Sequence, residues 1–389
     1  MIQRMKYKLR KVMLFIFELF KYVCLLPIAK ILCKKRDIFL FAERGTDARD
    51  NGFYMYRYFR QNHPELESYY VITKDSPDRY KVEELGNVVN RGSLKHYLLF
   101  ITAKYKISTH IMGYSPNIGF YSRFADRLHL KGHRIFLQHG VTKDNLKALY
   151  KNKTNLDRFI CGAKPEYDYV SKTFGYEDGE VKYTGFARYD GLHNIVLKKQ
   201  ILCMPTWRMY LNGVTINELE KSEYVEKWNA IINDNRLIST LKNNGLKLIF
   251  YPHYELQKHL SLFKSESDEV VIASFKDYDV QTLLKESRLL ITDYSSVYFD
   301  FAYMKKPVVY YQFDKEQFES GHYAKGYFDY ETMGFGEVVE DKEDVIDAIL
   351  KYIENGFDMG KYEKRTEEFF PLHDKNNCKR IYEYIMEKK

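Results

Sequence analysis

Four short polar clusters in this 389-residue sequence join a proton carrier or an anion-binding group to a preceding apolar run. In Leu137-Gln138-His139-Gly140-Val141-Thr142, His139 can take a proton from an attacking hydroxyl, because an imidazole titrates near neutrality. Gly140 beside it lets a ligand approach the backbone. In Met204-Pro205-Thr206-Trp207-Arg208, the planar fork of Arg208 suits phosphate oxygens and Thr206 adds a hydroxyl donor. In Phe250-Tyr251-Pro252-His253-Tyr254-Glu255, Pro252 stiffens the chain and gives His253 a defined direction, toward a diphosphate or a leaving phosphate. In Ile291-Thr292-Asp293-Tyr294-Ser295-Ser296-Val297, the two serines precede a helical pattern, where hydroxyls and backbone amides suit an anion.

Each cluster also has a plain structural reading. His139 could turn the chain, Arg208 could form a surface salt bridge, and His253 could be a solvated loop residue. Ser295 or Ser296 could be an ordinary helix cap, and Asp293 either binds a hydroxyl or orients the turn. Asp277-Tyr278-Asp279 spells a D-x-D pattern, but it precedes a helix that Asp279 is suited to cap, so it reads as structural. No metal or cofactor motif is present, and neither a Walker A nor a G-x-G-x-x-G loop follows a strand.

Elements that would position these clusters are legible from periodicity. Short β-branched and aromatic runs predict strands at 38–43, 69–73, 106–108, 134–138, 159–161 and 181–184. A second series falls at 201–204, 246–251, 270–273, 289–292, 308–311 and 336–339. Helical patterns cover 218–232, 279–286 and 297–304 between them. Nearly continuous apolar strands alternating with helices predict parallel sheets covered on both faces. The fold class is therefore α/β, with two doubly wound, Rossmann-like units over 37–195 and 196–389 facing a cleft. The end of the chain, 361–389, either closes the second unit with a helix or crosses back onto the first. In such sheets ligands sit beyond the carboxyl ends of the strands, where all four clusters fall.

Residues 1–36 form a separate segment with ten Lys or Arg and only Glu18 acidic. Its apolar stretches, 12–17 and 22–29, are divided by Glu18 and Lys21, and each is shorter than the ~20 residues that span a bilayer. No small-residue cleavage site follows it. The segment reads as a basic amphipathic helix lying on an anionic membrane surface, against the alternative of a helix docked on the protein's own core. The formal charge of +8 attracts phosphates and anionic lipid, and no nucleic-acid-binding motif accompanies it. The five cysteines are odd in number and scattered, as free thiols in a reducing compartment are.

In order along the chain, the clusters resemble the CDP-glycerol glycerophosphotransferase family of teichoic acid primases and polymerases. The resemblance is carried by ITDYSSVYFD at 291–300, FAYMKKPVVYYQFD at 301–314, KGYFDY at 325–330 and GFGEVV at 334–339. Upstream it includes DNG at 50–52, QHG at 138–140, TGFARYD at 184–190, PTWR at 205–208 and PHYE at 252–255. It implies a GT-B-like fold with monotopic attachment at the cytoplasmic face of the membrane. It further implies that His139 and His253 are the catalytic pair, with Gly140, Thr206, Arg208, Asp293, Ser295 and Ser296 binding substrate. The implied activity moves glycerol phosphate or ribitol phosphate from a CDP-alditol donor to a hydroxyl of a lipid-linked polymer, releasing CMP. It needs no cofactor, and self-association into a homo-oligomer is compatible with it. A GT-B glycosyltransferase using a nucleotide sugar is the alternative. The chain departs from the family pattern at Gln138, Arg288, Phe335 and Ser320-Gly321-His322.

Overall fold

A computed structural model describes residues 2–32, 36–321 and 324–387. Strands β1 (Phe39–Ala42), β2 (Ser68–Ile72), β3 (Val88–Asn90), β4 (Tyr105–Ser108), β5 (His133–Phe136), β6 (Arg158–Cys161) and β7 (Val181–Tyr183) form one sheet. A second sheet holds β8 (Gln200–Met204), β9 (Lys247–Phe250), β10 (Val270–Ile272), β11 (Leu290–Thr292), β12 (Val308–Tyr311) and β13 (Gly336–Val339). The orders are 3-2-1-4-5-6-7 and 10-9-8-11-12-13, and neighbours pair in parallel throughout. Both sheets thus follow the doubly wound pattern, with switch points at β1/β4 and β8/β11. Strands β1, β6, β8 and β12 are buried along their whole length, which is why they read as apolar runs, broken only by Arg158 and Gln200 at the starts of β6 and β8.

The helices that matter for the site are α1 (Ile2–Leu32), α2 (Asn51–Asn62), α3 (Leu94–Thr102), α4 (Ile118–Phe124), α5 (Val280–Glu286), α6 (Val297–Tyr303) and α7 (Asn377–Met386). Two sequence expectations need correction here. The pattern at 218–232 breaks into Ile216–Glu220 and Glu223–Ile232, because Ser222 caps the second helix by accepting from the Val225 amide. The edge strand β3 carries little sequence signal, since its three residues bury only Val89 and lie between Gly86-Asn87 and Arg91-Gly92. Asp279 does cap α5, accepting from Thr282 N at 2.9 Å.

The chain end takes the crossing course rather than closing a unit that runs to 389. Asn377 Nδ2 donates to Asp190 at 2.8 Å, and Tyr382 stacks on His63 beside α2 at 3.8 Å. One apolar cluster runs from Phe41, Tyr56 and Phe59 through Phe186 and Tyr189 to Phe299 and Tyr303 of α6, so both halves share a core at the hinge.

Helix α1 corrects a further expectation. Its window Val12–Ala29 is continuous, with mean hydropathy 2.0, long and apolar enough by length and composition to cross a membrane. Glu18 and Lys21, which divide the run in the sequence, both turn toward the protein. Tyr97 Oη donates to the Glu18 carboxylate at 2.8 Å, and Lys21 Nζ donates to Tyr97 Oη at 3.4 Å. Phe15 packs on Phe120 and Phe124 of α4, and Tyr22 donates to the Leu128 carbonyl. The outward face is left apolar: Val12, Met13, Ile16, Phe17, Phe20 and Val23 are all more than half exposed. Residues 33–35, the basic end of this segment, and His322 lie outside the described residues.

Candidate active site

The loop after β5 carries His139, and its shape is set by residues that the sequence separates widely. Asp50 caps α2 by accepting from Asn51 N. Asn51, fully buried, donates through Nδ2 to the carbonyls of Leu137 (3.2 Å) and Gln138 (2.8 Å) and accepts from Arg188 N (3.0 Å). Gly52 is required here, because a Cβ would stand 2.9 Å from the Ala42 carbonyl oxygen at the end of β1. The DNG landmark therefore ties the His139 loop to β1 and to the Arg188 segment.

Gln138 adopts the left-handed conformation, φ 57°, an uncommon state that its side chain helps hold in place. Its Nε2 donates to the Ile160 carbonyl and to Glu166, and its Oε1 accepts from Thr142 Oγ1. Burial pushes the Glu166 carboxyl up to about 7, against hydrogen bonds donated by Thr142, Gln138, Gly162 and Ala163. A polar residue at 138 is thus a buried brace for the His139 turn.

The His139 ring faces a cavity of about 320 Å³ between the two halves. It stacks on His110 with centroids 4.7 Å apart and planes 13° apart. The ring is reachable from the cavity but walled in by protein, and this desolvation holds its pKa below the ordinary value. Asp50 opposes that shift, while Arg188 and Arg44 reinforce it. Asp50 is itself paired to Arg188 at 2.9 Å, and Arg188 grips Asp300 of α6 across the hinge at 2.7 and 2.8 Å.

His253 lines the same cavity from the second half. Its Nδ1 accepts from Glu255 N at 3.3 Å, so the neutral ring carries its proton on Nε2. Desolvation lowers its pKa as well, against Glu255 and Asp293. Ser295 and Ser296 complete that wall. Ser296 occupies the cap position of α6 without making a side-chain cap, so the ordinary capping reading fails. A Cβ on Gly140 would meet Ser296 Oγ at 3.4 Å, so the glycine lets the His139 loop come close to the start of α6. Thr206 lines the cavity too, and its buried hydroxyl has no partner among the described residues.

Six of the eight expected residues, His139, Gly140, Thr206, His253, Ser295 and Ser296, therefore converge on one cavity. The other two do not face it. Arg208 is fully buried, bound to Asp314 at 2.6 and 3.0 Å and to Asp293 at 2.8 Å. Asp293, equally buried, accepts from Thr206 N at 2.9 Å and Tyr294 N at 2.6 Å. Their assignment to substrate is corrected: they lock the loops after β8, β11 and β12 together beneath the cavity. Residues around His139 that sequence reasoning left out are His110, stacked on its ring, Arg44, bound to His110, and Arg188, which lines a neighbouring cavity with His139. Arg44 and His110 follow β1 and β4, the switch-point strands, but that position appears only once the strand order is known.

Two parallel sheets of one strand order, facing a polar cleft, make this a GT-B-like protein. Among solved structures it is similar to the wall teichoic acid polymerase TagF, with a TM-score of 0.68 at 18% identity over 99% of this chain and 97% of that one. The chain belongs to the CDP-Glycerol:Poly(glycerophosphate) glycerophosphotransferase family, whose sequence profile matches residues 25–387. It is 36% identical over 369 residues to the minor teichoic acid biosynthesis protein GgaB of Bacillus subtilis (strain 168), covering 91% of this chain and 40% of GgaB. It is 25% identical to a teichoic acid poly(glycerol phosphate) polymerase of the same organism, spanning 88% of this chain and 46% of that protein. The chain thus spans less than half the length of these two relatives. Against the teichoic acid glycerol-phosphate transferase of Staphylococcus aureus (strain NCTC 8325 / PS 47), 24% identity extends over 95% of this chain and 96% of that one.

Proposed function

We propose that this protein transfers an alditol phosphate, glycerol phosphate or ribitol phosphate, from a CDP-alditol to a hydroxyl of a lipid-linked envelope polymer. The observation that carries the reading is the pair His139 and His253, brought to one cavity from the two halves, with Ser295 and Ser296 on the His253 side. Family membership supplies the donor class. The first unit, 37–195, serves the acceptor, and the second, from 196, serves the donor.

In this mechanism the acceptor oxygen attacks the β-phosphorus and its proton passes to a ring nitrogen of His139. The bond from that phosphorus to the oxygen bridging to CMP breaks, and CMP departs with that oxygen. The Nε2–H of His253 stabilises the charge that develops there. Catalysis of this kind rests on alignment and fixed donors more than on covalent chemistry. The test is release of CMP from CDP-glycerol and CDP-ribitol, run beside UDP- and CMP-sugars with membrane extract as acceptor. Release from a CDP-alditol supports the reading, and release from a nucleotide sugar alone moves the protein to the glycosyltransferases.

The pH profile follows from the two imidazoles. A base with a depressed pKa is ready above that pKa and is lost as pH falls through it. The acid limb of kcat/KM is therefore expected below pH 6.5, the ordinary value for a histidine. A midpoint well above it would remove His139 as the base.

The membrane contact belongs to the same proposal. A helix that turns Glu18 and Lys21 toward the protein and leaves Val12, Phe17, Phe20 and Val23 outward presents a face that suits lipid rather than water. With one side fixed to α3 and α4, α1 lies along the cytoplasmic face of the membrane, where a lipid-linked acceptor is concentrated. Replacing Phe17 and Phe20 together by Ser is expected to weaken binding to anionic vesicles by roughly 10²-fold or more, at about 1.5–3 kcal/mol per buried ring. Sedimentation with vesicles measures this, and unchanged partition would remove α1 as the contact.

A further inference from the structure

Phosphoryl transfer needs fixed positive charge over the phosphate, and Arg208, the residue expected to supply it, is spent on two buried carboxylates. The other arginines around the cleft are similarly engaged. Arg49 is bound to Asp78 at 2.7 Å, and Arg188 to Asp50 and Asp300. Arg44 differs. Its nearest carboxylate, Asp47, is 4.0 Å from Nε, its side chain is 64% exposed, and its two terminal amino groups make no hydrogen bond to the described residues.

Arg44 is nevertheless held in place. It follows β1 and His110 follows β4, the two strands at the switch point of the first sheet. Arg44 Nε donates to His110 Nε2 at 3.0 Å, and Arg91 fixes the Arg44 carbonyl at 2.8 Å. A guanidinium is always a donor, so His110 Nε2 must be the acceptor and its proton sits on Nδ1, 3.0 Å from Thr109 Oγ1. His110 cannot take a second proton without giving up Arg44, and so it stays a neutral ring against His139. Through the His110 ring, Arg44 is thus tied to the ring of His139.

We propose that Arg44 binds a phosphate oxygen of the substrate beside His139, and that His110 is the positioning residue that aims it. The inference rests on the alditol phosphate transfer proposed above. The phosphate is either that of the donor diphosphate or a phosphodiester of the acceptor polymer, and the experiment separates the two.

The variants are Arg44→Gln, Arg44→Lys, His110→Phe, His110→Gln and the double variant Arg44→Gln/His110→Phe, each checked for an unchanged melting temperature. Arg44→Gln is expected to lower kcat/KM for CMP release by roughly 10²-fold, the effect of losing one such donor, and Arg44→Lys to restore only part of it. His110→Phe keeps the stack on His139 but removes the acceptor, so it should lose activity as well. His110→Gln, whose amide oxygen can accept from Arg44, should recover most of it. The double variant should be no worse than Arg44→Gln alone, because both act through one contact. A weaker dissociation constant for CDP-glycerol without acceptor assigns the phosphate to the donor. A raised acceptor KM with donor binding intact assigns it to the polymer. If wild type releases CMP and Arg44→Gln matches it within twofold in kcat, acceptor KM and donor binding, the inference is overturned. If wild type releases no CMP, the transfer reading fails by itself. Calorimetry with inorganic pyrophosphate then decides on Arg44: a tenfold loss in Arg44→Gln upholds the anion site, and no loss ends it.

Discussion

His139→Ala is expected to lower CMP release by roughly 10²- to 10⁴-fold, the contribution of a positioned general base. The melting temperature should hardly move. The ring is open to the cavity and stacks on His110, while the turn that carries it is braced from behind by Asn51, Gln138 and Glu166. The loss should fall mainly on kcat, since proton removal is needed in the transition state and not for binding. Asp50 cannot substitute as the base. Its carboxylate is committed to the α2 cap and to Arg188, and its role is to favour the imidazolium once His139 has the proton. Single-turnover CMP release by a folded His139→Ala protein is the decisive measurement. Near-normal turnover would mean that the acceptor hydroxyl is deprotonated elsewhere, and the two-histidine mechanism would be abandoned.

Which parts of this site were legible in the sequence depends on how local their determinants are. The strands that lead to His139, Thr206, His253 and Ser295 finish on short, mostly apolar, buried stretches, because helices cover both faces of each sheet. A polar cluster just after such a run must lie at a strand's carboxyl end, so residue order by itself places those side chains at the cleft. Arg208 shows the limit. Whether a guanidinium meets a ligand or a carboxylate is decided by what the fold brings to it, and Asp314 arrives from 106 residues away. Asp293 fails for the same reason. In the first helix only the detail was hidden: Glu18 and Lys21 divide its apolar run in the sequence, yet Tyr97, 79 residues from Glu18, takes that carboxylate inward. His110 and Arg44 needed the strand order itself, because only the β1/β4 pairing makes them neighbours.

Arg208→Met tests the corrected role of this residue, and its expected effect is on stability. The guanidinium neutralises Asp293 and Asp314, both within 2% of full burial, and also donates to the Thr206 carbonyl. Removing it leaves two carboxylates without their cation in a site that excludes water, a change that costs about 3–5 kcal/mol when one partner of a buried pair is deleted. The melting temperature should therefore fall by several degrees. Arg208→Lys should recover little, since one ammonium cannot reproduce the two-point grip on Asp314 and the contact with Asp293 together. Adding Asp314→Asn to Arg208→Met should return part of the stability, because one of the stranded charges is then gone. Activity would drop with the loops that Arg208 locks, through Ser295, Ser296 and Thr206 losing their positions. The opposite pattern, an unchanged melting temperature with a selective loss of CDP-glycerol affinity, would mean that the guanidinium turns out to meet the diphosphate when donor binds. The network beneath the cavity would then be a resting arrangement rather than its permanent floor.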